Sequence, residues 1–263
     1  MRTDSCTRTP TYHKAAIGLG NASAGGVALD NDGHAYVSNF YTGALNRVDL
    51  VTGDFIEVTS FGQANAVALD GHGSAYVTNL YGGTLFKVHL ATGLTTAVAD
   101  RLDYSAGVAV SPDGRGIYVV SALGRLYQVD ARSGLRTEIV SGLSDPWGLA
   151  LDGLGNAYIT SQNGYLDVVN LNTKEIRRIA TGIGDAYGIA LDGAGYAYTS
   201  TFRDGGILRI NLTTGQFNEA AAGLGNPTSI ALSSHGDAYV ASTHGILWRV
   251  EGVAGCTKDC CGG

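Results

Sequence analysis

The chain is built from a repeat of about forty residues, and a period of that length constrains the fold more than any other feature of the sequence. A segment that reads Gly-Val-Ala-Leu-Asp-x-x-Gly-x-Ala-Tyr-Val in its first copy occurs six times, with variations. The intervals between successive repeat tyrosines are 40, 42, 40, 40 and 41 residues. These repeat tyrosines are Tyr36, Tyr76, Tyr118, Tyr158, Tyr198 and Tyr239. The copies fill the chain, so one repeating architecture accounts for its length.

Each repeat predicts a small antiparallel sheet. Two short apolar runs flank the Asp-x-x-Gly segment, in which the aspartate can bond the backbone and the glycine can take a positive φ, as in a β-hairpin. About nine residues after the tyrosine a third run follows, such as Leu45–Val48, and it alternates as a half-buried strand does. A turn at Thr52-Gly53 then precedes a more variable fourth strand, Phe55–Val58. In the fourth repeat the second turn reads Thr173-Lys174, with lysine in place of the glycine.

Four-stranded units of this length are the blades of a β-propeller, so we predict an all-β, six-bladed propeller of four-stranded antiparallel blades. The sixth copy ends after its third strand, near Val253, whereas Thr11–Ile17 reads as a fourth strand with no blade of its own. We therefore expect this N-terminal strand to complete the last blade, which leaves no open sheet edge. The predicted domains are an N-terminal tail (1–10), one propeller (11–253) and a cysteine-rich C-terminal tail (254–263).

The pattern G-[VI]-A-[LV]-D-x-x-G-x-A-Y-V resembles the repeat of the NHL and virginiamycin B lyase type of six-bladed propeller. It is similar, more distantly, to the gluconolactonase and strictosidine synthase propellers. The resemblance covers residues 11–253, and it implies an architecture rather than a reaction. WD40 propellers fit poorly, because no Trp-Asp pair closes any strand.

Composition and the chain ends narrow the partners. The formal charge is −6, from 17 basic and 23 acidic side chains, and no basic cluster occurs, which argues against nucleic acid. No apolar leader or membrane-length apolar run is present, so we expect a cytoplasmic monomer with no membrane partner. The cysteines lie near the termini and lack paired zinc spacing, so a bridge that reinforces ring closure is geometrically possible and unbridged tails are the alternative. They are Cys6, Cys256, Cys260 and Cys261.

The top face of the predicted propeller is the expected place for a ligand. The loop that leads into each inner strand and the loop between the second and third strands lie there, and they do not repeat from blade to blade. Asp30, Asp70, Asp152 and Asp192 do repeat, on the bottom face, where they are interpreted as turn residues. The top is rich in aromatic side chains, which suit an apolar or cyclic small molecule. The predicted ligand pocket comprises Phe40, Tyr41, Asn65, Tyr81, Tyr104, Trp147, Asp185, Phe202 and Thr228.

The resemblance also implies candidate chemistry. Gluconolactonase-like propellers hold an axial divalent metal through a glutamate, asparagines and an aspartate; here Asn65, with Asn39 and Asn79, offers oxygens, but no glutamate maps to the top. No cofactor is expected, and a divalent metal on the axis stays an open alternative. Virginiamycin B lyase-like enzymes imply a histidine base, and His244 is the one histidine in a suitable loop. The catalytic candidates are His244 or Tyr187 for proton transfer and Arg203 for developing negative charge.

Two functions remain open at this point. The aromatic, non-repeating top favours a small-molecule binder, and in particular a lyase-like or hydrolase-like enzyme that acts on an apolar or cyclic metabolite. The lack of a complete catalytic constellation favours an NHL-like protein-interaction scaffold without catalysis. A propeller with a purely structural role is a third alternative, which a flat and featureless top would indicate.

Overall fold

The structure, a computed structural model, describes residues 10–20 and 24–254. For Ala24 it describes the backbone alone. Within these ranges all regular structure is β-strand, arranged as six four-stranded antiparallel sheets. The predicted six-bladed, all-β propeller is confirmed. No helix long and apolar enough to cross a membrane is found in this part of the chain.

Five blades are continuous in sequence. Blade 1 comprises β2 Ala24–Leu29, β3 His34–Asn39, β4 Ala44–Asp49 and β5 Phe55–Ser60. Blade 2 comprises β6 Ala64–Leu69, β7 Ser74–Asn79, β8 Thr84–His89 and β9 Thr95–Ala99. Blade 3 comprises β10 Ser105–Val110, β11 Gly116–Ser121, β12 Arg125–Asp130 and β13 Arg136–Ser141. Blade 4 comprises β14 Pro146–Leu151, β15 Asn156–Ser161, β16 Tyr165–Asn170 and β17 Ile176–Thr181. Blade 5 comprises β18 Ala186–Leu191, β19 Tyr196–Thr201, β20 Gly206–Asn211 and β21 Phe217–Ala221.

Blade 6 joins the two ends of the chain. Its strands are β22 Pro227–Leu232, β23 Ala238–Ser242, β24 Ile246–Glu251 and the N-terminal β1 Thr11–Ile17. β1 pairs antiparallel with β24, from Thr11 opposite Glu251 to Ile17 opposite Ile246. The predicted closure is therefore confirmed. Cys6, Cys256, Cys260 and Cys261 lie outside the described residues, so the possible bridge stays a prediction.

The core consists of six apolar layers, one between each pair of neighbouring blades. Each repeat tyrosine belongs to the layer between its own blade and the next one. Tyr36, for example, packs with Val67 and Val77 of blade 2, and Tyr239 packs with Val27 and Val37 of blade 1. The tyrosine recurs in every repeat because its side chain fills the space between its own blade and the following one.

A bulge near the top of each inner strand shifts the register of its pairing with the second strand. In four blades a buried hydroxyl of the second strand accepts a hydrogen bond from the bulged backbone N–H. These hydroxyls are Ser38, Thr78, Thr160 and Ser200, and in blade 4 the N–H is that of Gly148, at 3.1 Å. In blades 3 and 6 Val120 and Ala241 stand at this position, and there the ladder pairs them directly with the inner strand.

Three of these hydroxyls also join neighbouring blades. Ser38 donates to the Asn65 carbonyl and Thr78 to the Ala106 carbonyl, each in the following blade. Thr160 Oγ1 lies 2.6 Å from the Tyr187 carbonyl oxygen of blade 5. The residues whose carbonyls are held in this way lie at the top of the axis, so the bulges fix the backbone beneath the top face.

Buried aliphatic side chains anchor the loops that lead into the inner strands. They are Leu19, Leu102, Leu143, Ile183 and Leu224, all no more than 7% exposed. In blades 4 and 5 an aspartate follows two residues after the anchor, as Asp145 and Asp185. The repeat thus supplies a rigid base on which variable polar and aromatic side chains are presented.

The repeated aspartates of the bottom face are turn residues, as predicted. Asp30 Oδ1 accepts hydrogen bonds from the backbone N–H groups of Asp32 and His34, at 2.9 and 2.8 Å. Asp70, Asp152 and Asp192 accept equivalent pairs of bonds in their own blades. Their carboxylates are therefore used to hold the hairpins.

Acid stability follows from the turns between the third and fourth strands. Backbone N–H bonds from Thr52 and Val51 lower the pKa of Asp49, and the Ser133 hydroxyl and N–H lower the pKa of Asp130. Because these values are depressed in the folded state, the stabilisation is present above the unfolded value, about 3.9, and is lost as the pH falls below it. Blades 4 and 5 carry asparagine at the equivalent place and make the same two bonds.

The double variant Asp49→Asn/Asp130→Asn is therefore expected to resemble the native protein at pH 7 and to lose less stability under acid conditions. Urea-unfolding midpoints at pH 6 and pH 3 would measure the difference. If the unfolding midpoints of the native protein and of the double variant fell equally between pH 6 and pH 3, these carboxylates would not contribute to acid unfolding.

Candidate functional site

The axial channel is narrow. It is lined by the upper parts of the six inner strands and has a volume of about 80 Å³, room for a few water molecules. Glycines account for the close approach: a Cβ atom on Gly25 would lie 2.2 Å from the Asn65 carbonyl oxygen, and one on Gly148 would lie 2.1 Å from that of Tyr187. The central pocket expected from the sequence is thus too small for a metabolite, which would have room only above or beside the channel.

An aromatic stack crosses from blade 4 to blade 5 at the mouth of the channel. Tyr187 lies between Trp147 and Phe202, with ring centroids 5.0 Å apart on both sides. The Tyr187 and Phe202 rings are stacked, at an interplanar angle of 26°. All three side chains are half-buried. Trp147, Tyr187 and Phe202, predicted separately as site residues, are thus brought together as one apolar surface.

Polar groups border this stack on one side. Asp185 Oδ1 accepts a hydrogen bond from the Arg203 backbone N–H at 3.0 Å, and Asp185 Oδ2 lies 3.4 Å from Arg203 Nε. The Arg203 side chain is 85% exposed, so this ion pair orients the guanidinium without burying it. Asp185 and Arg203, which were predicted separately as a pocket residue and a catalytic candidate, therefore form one polar rim that is exposed on its outer side.

Burial raises the pKa of the Tyr187 phenol, and the nearby Asp185 and Asp145 carboxylates raise it further. Arg203 and a hydrogen bond from the Gln162 side chain act in the opposite direction, but the net shift is upward. A phenol with a raised pKa stays protonated near neutrality. Tyr187 is therefore suited to donate a hydrogen bond or a proton, and unsuited to act as the base.

A hollow of about 450 Å³ lies beside the stack, between the top loops of blades 4 and 5. Its polar walls include Gln162, Asn163, Asp185, Arg203 and Asp204. The hollow is shallow and open to solvent, and its walls offer donors and acceptors of both charges. Gln162 of this hollow hydrogen-bonds Tyr187, and the Asp185 carboxylate is near enough to raise the pKa of Tyr187, so the polar hollow adjoins the apolar stack.

A second aromatic group runs along the top of blades 1 to 3. Tyr41, Phe40, Tyr81 and Tyr104 follow one another edge to face, with centroid distances of 5.3, 5.6 and 5.6 Å. Tyr41, Tyr81 and Tyr104 are 67%, 58% and 47% exposed. This row is predicted as part of the pocket, and the structure shows it as a surface ridge that is separate from the stack in its ring contacts.

The remaining predicted site residues have local roles. His244 is exposed, its Nδ1 lies 3.2 Å from where a Cβ of Gly225 would be, and it makes no hydrogen bond or ion pair within the described ranges. Asn65 and Thr228 line the channel. Asn65 Nδ2 donates to the Ala106 carbonyl and Thr228 Oγ1 to that of Ala241, so both side chains stabilise the inner strands.

No protein-family model matches the chain, and no curated protein sequence matches it. Solved structures do. A protein of unknown function from Bacteroides thetaiotaomicron has a TM-score of 0.80 and 12% identity, over 92% of this chain and 76% of that one. A gluconolactonase from Xanthomonas campestris has a TM-score of 0.80 and 13% identity, over 91% and 88% of the two chains.

A virginiamycin B lyase from Staphylococcus aureus, solved as a catalytically inactive variant with quinupristin, has a TM-score of 0.68 and 12% identity, over 92% and 99% of the two chains. The fold is of the type that the repeat predicted. At these identities the likeness establishes the architecture alone, a six-bladed propeller with lyase and lactonase neighbours.

The donor set does not fit the axial metal that a gluconolactonase-like propeller would imply. No carboxylate lines the channel, and no group of three or more His, Cys, Asp or Glu side chains in the described residues could hold a metal ion. Asn39 and Asn79 each donate to a backbone carbonyl and accept from loop N–H groups, so their amides are engaged in the top loops. A hard divalent cation prefers several free oxygen ligands.

Gln162 and Asp145 lie in top-face loops but are not among the predicted site residues, and together with Asp185 they set the environment of Tyr187. Both lie in blade 4, whereas Tyr187 begins blade 5, and their proximity depends on how neighbouring blades pack. The blade order could have indicated this proximity, because the loop between the second and third strands of one blade lies beside the loop that leads into the inner strand of the next.

Proposed function

We propose that the protein binds a cyclic small molecule on its top face, at the junction of blades 4 and 5. The ligand lays an apolar ring face on the stack of Trp147, Tyr187 and Phe202 and directs polar substituents into the neighbouring hollow. The observation that carries this proposal is the closeness of the two surfaces. Gln162 lines the hollow and hydrogen-bonds Tyr187, and the Asp185 carboxylate lines the hollow and lies near enough to raise the pKa of Tyr187. Aromatic surfaces with a few fixed polar groups are the usual design of small-molecule sites.

Lyase-like turnover is the finer part of the proposal. In it, the Tyr187 phenol donates a proton or hydrogen bond, the Arg203 guanidinium stabilises negative charge that develops on the ligand, and the exposed His244 imidazole accepts a proton. The structural neighbour that was solved with quinupristin, a virginiamycin B lyase, supports quinupristin as the first ligand to test. Lactones are the second class, because another neighbour is a gluconolactonase.

Trp147 provides a direct test of binding. The chain has two tryptophans, so the variant Trp248→Phe leaves Trp147 as the only one. Titration of this variant with quinupristin and with glucono-δ-lactone is expected to change Trp147 fluorescence saturably. In this background, Tyr187→Ala and Asp185→Asn should each weaken binding by about tenfold, equivalent to about 1.4 kcal/mol. The matched control Tyr81→Ala, in the separate aromatic row, should leave the affinity unchanged.

Turnover separates a binder from an enzyme. Tyr187→Phe keeps the aromatic ring, so it should preserve affinity and abolish conversion of the bound ligand, as followed by mass spectrometry. His244→Ala should do the same if the imidazole is the base. Binding that survives Tyr187→Ala and Asp185→Asn would contradict the proposed site. The proposed function would be contradicted if Trp147 fluorescence stayed unchanged with every member of a panel of cyclic peptides, lactones and glycosides.

A further inference from the structure

Blade 5 carries an arginine whose carboxylate partner is replaced by an aromatic ring. In blade 6 the equivalent third-strand residue, Arg249, donates through Nε and a terminal nitrogen to Asp237, at 3.0 and 2.7 Å. In blade 5 the residue is Arg209, and Tyr196 occupies the place of Asp237, each lying one residue before the alanine of the repeat. The Arg209 guanidinium carbon lies 3.5 Å from the centre of the Tyr196 ring.

Stacking alone does not explain the arrangement, because this fold can combine it with an ion pair. Arg178 lies 3.6 Å over the Tyr165 ring and also donates through Nε and a terminal nitrogen to Asp167, at 2.8 and 3.2 Å. Arg209 has the stack without the carboxylate. Its Nε is buried and has no hydrogen-bond partner among the described residues. A ligand cannot reach an atom without exposed surface, so an external acceptor would bind the terminal nitrogens of the guanidinium, at the hollow that Arg209 lines.

The surroundings of Arg209 offer space and further donors. A hollow of about 670 Å³ opens beside it, lined by side-chain amides, Thr214 and the Tyr196 ring, and no acidic residue is among its lining residues. The amides are those of Asn211, Gln216 and Asn218. The Asn211 Oδ1 atom already accepts from two turn N–H groups, which leaves its NH₂ group for a ligand.

We propose that this hollow is a second binding site, for the oxyanion of a small ligand, a carboxylate or a phosphate. Arg209, held flat on Tyr196, presents the terminal nitrogens of its guanidinium to such oxygens, and the amides add neutral donors. The site lies at the bottom of blade 5, where β19 begins and β20 ends, and is independent of the top face. The net charge of the chain is −6, so a local cation free of internal carboxylates is the feature that would retain an anion here.

The test is a nuclear magnetic resonance titration that follows the Nε–H signals of the arginines. Sodium acetate and, separately, inorganic phosphate replace sodium chloride at constant ionic strength. The Arg209 signal, assigned as the one lost in Arg209→Lys, should move saturably with half-saturation at least tenfold below that for chloride. The Arg178 signal should not move, because Asp167 already occupies its guanidinium. A response to acetate alone identifies a carboxylate site, and a response to phosphate alone identifies a phosphate site.

The same titration of a designed variant provides the decisive measurement. Tyr196→Asp places a carboxylate where blade 6 has Asp237, so Arg209 should acquire an internal partner and its anion response should disappear. A circular dichroism spectrum like that of the native protein confirms that this variant folds. The proposal is overturned if Arg209 and Arg178 respond equally, if chloride is as effective as the oxyanions, or if no movement occurs up to about 50 mM anion.

Discussion

Replacing Gly148 by alanine is expected to lower the free energy of unfolding by about 3 kcal/mol, the upper range for overpacking a well-packed core. The added Cβ would lie 2.1 Å from the Tyr187 carbonyl oxygen and 2.4 Å from Thr160 Oγ1. Neither atom can withdraw cheaply, because one belongs to the neighbouring blade's backbone and the other bridges the two blades. Blades 4 and 5 would have to separate, and a closed ring transmits that separation to every other junction.

Gly116→Ala is the matched control. Neither Gly116 nor Gly148 has a positive φ. A Cβ atom on Gly116 would meet only side-chain atoms, none closer than 3.3 Å. It should cost less than about 1 kcal/mol. Chemical denaturation curves of both variants give the comparison, and equal losses would mean that close blade approach at Gly148 does not limit stability.

Thr160→Val is expected to lower the free energy of unfolding by about 2 kcal/mol while it preserves side-chain volume. Valine cannot accept from the Gly148 N–H or donate to the Tyr187 carbonyl, so two buried backbone groups lose their partner. The bulge is what makes the change costly, because the ladder does not pair Gly148 with Thr160. Since the Tyr187 backbone is also released, ligand affinity at the top face should fall in the same variant.

An exposed threonine of the same blade provides the reference. Thr181→Val, at the end of β17, should change stability by no more than about 0.5 kcal/mol. Unfolding midpoints and the Trp147 fluorescence titration would be measured on both variants. A Thr160→Val protein with native stability would show that water or a register shift replaces the hydroxyl, as the direct pairing at Val120 does in blade 3.

The fold was predictable because its determinants are local and repeated. The Asp-x-x-Gly turns, the alternation of the third strand and the spacing of the tyrosines all lie within one repeat, and Thr11–Ile17 was recognisable as a strand without a blade. The bulges were not predictable, since a buried serine or threonine on a second strand reads like any other small strand residue. Their role emerges only when the neighbouring blade supplies the carbonyl.

The site was predictable only in part, because its parts come from different blades. The sequence indicated Trp147, Tyr187, Phe202, Asp185 and Arg203 from their loops, and the structure brings these five together. It did not reveal that the axis narrows to about 80 Å³, because that depends on how closely inner-strand backbones approach. Nor did it reveal that the phenol of Tyr187 has a raised pKa, which depends on burial between two blades.

The pairing of β1 with β24 has a consequence for synthesis of the chain. β1 leaves the ribosome before every other described strand of the propeller, whereas its partner β24, which ends at Glu251, leaves after all of them. During elongation, at about 5–20 residues per second, the first strand therefore has no permanent partner for many seconds. An unpaired strand edge is prone to join another chain. We expect a chain interrupted before Ile246 to aggregate or exchange strands with a second copy, whereas the completed ring hides both edges in one sheet.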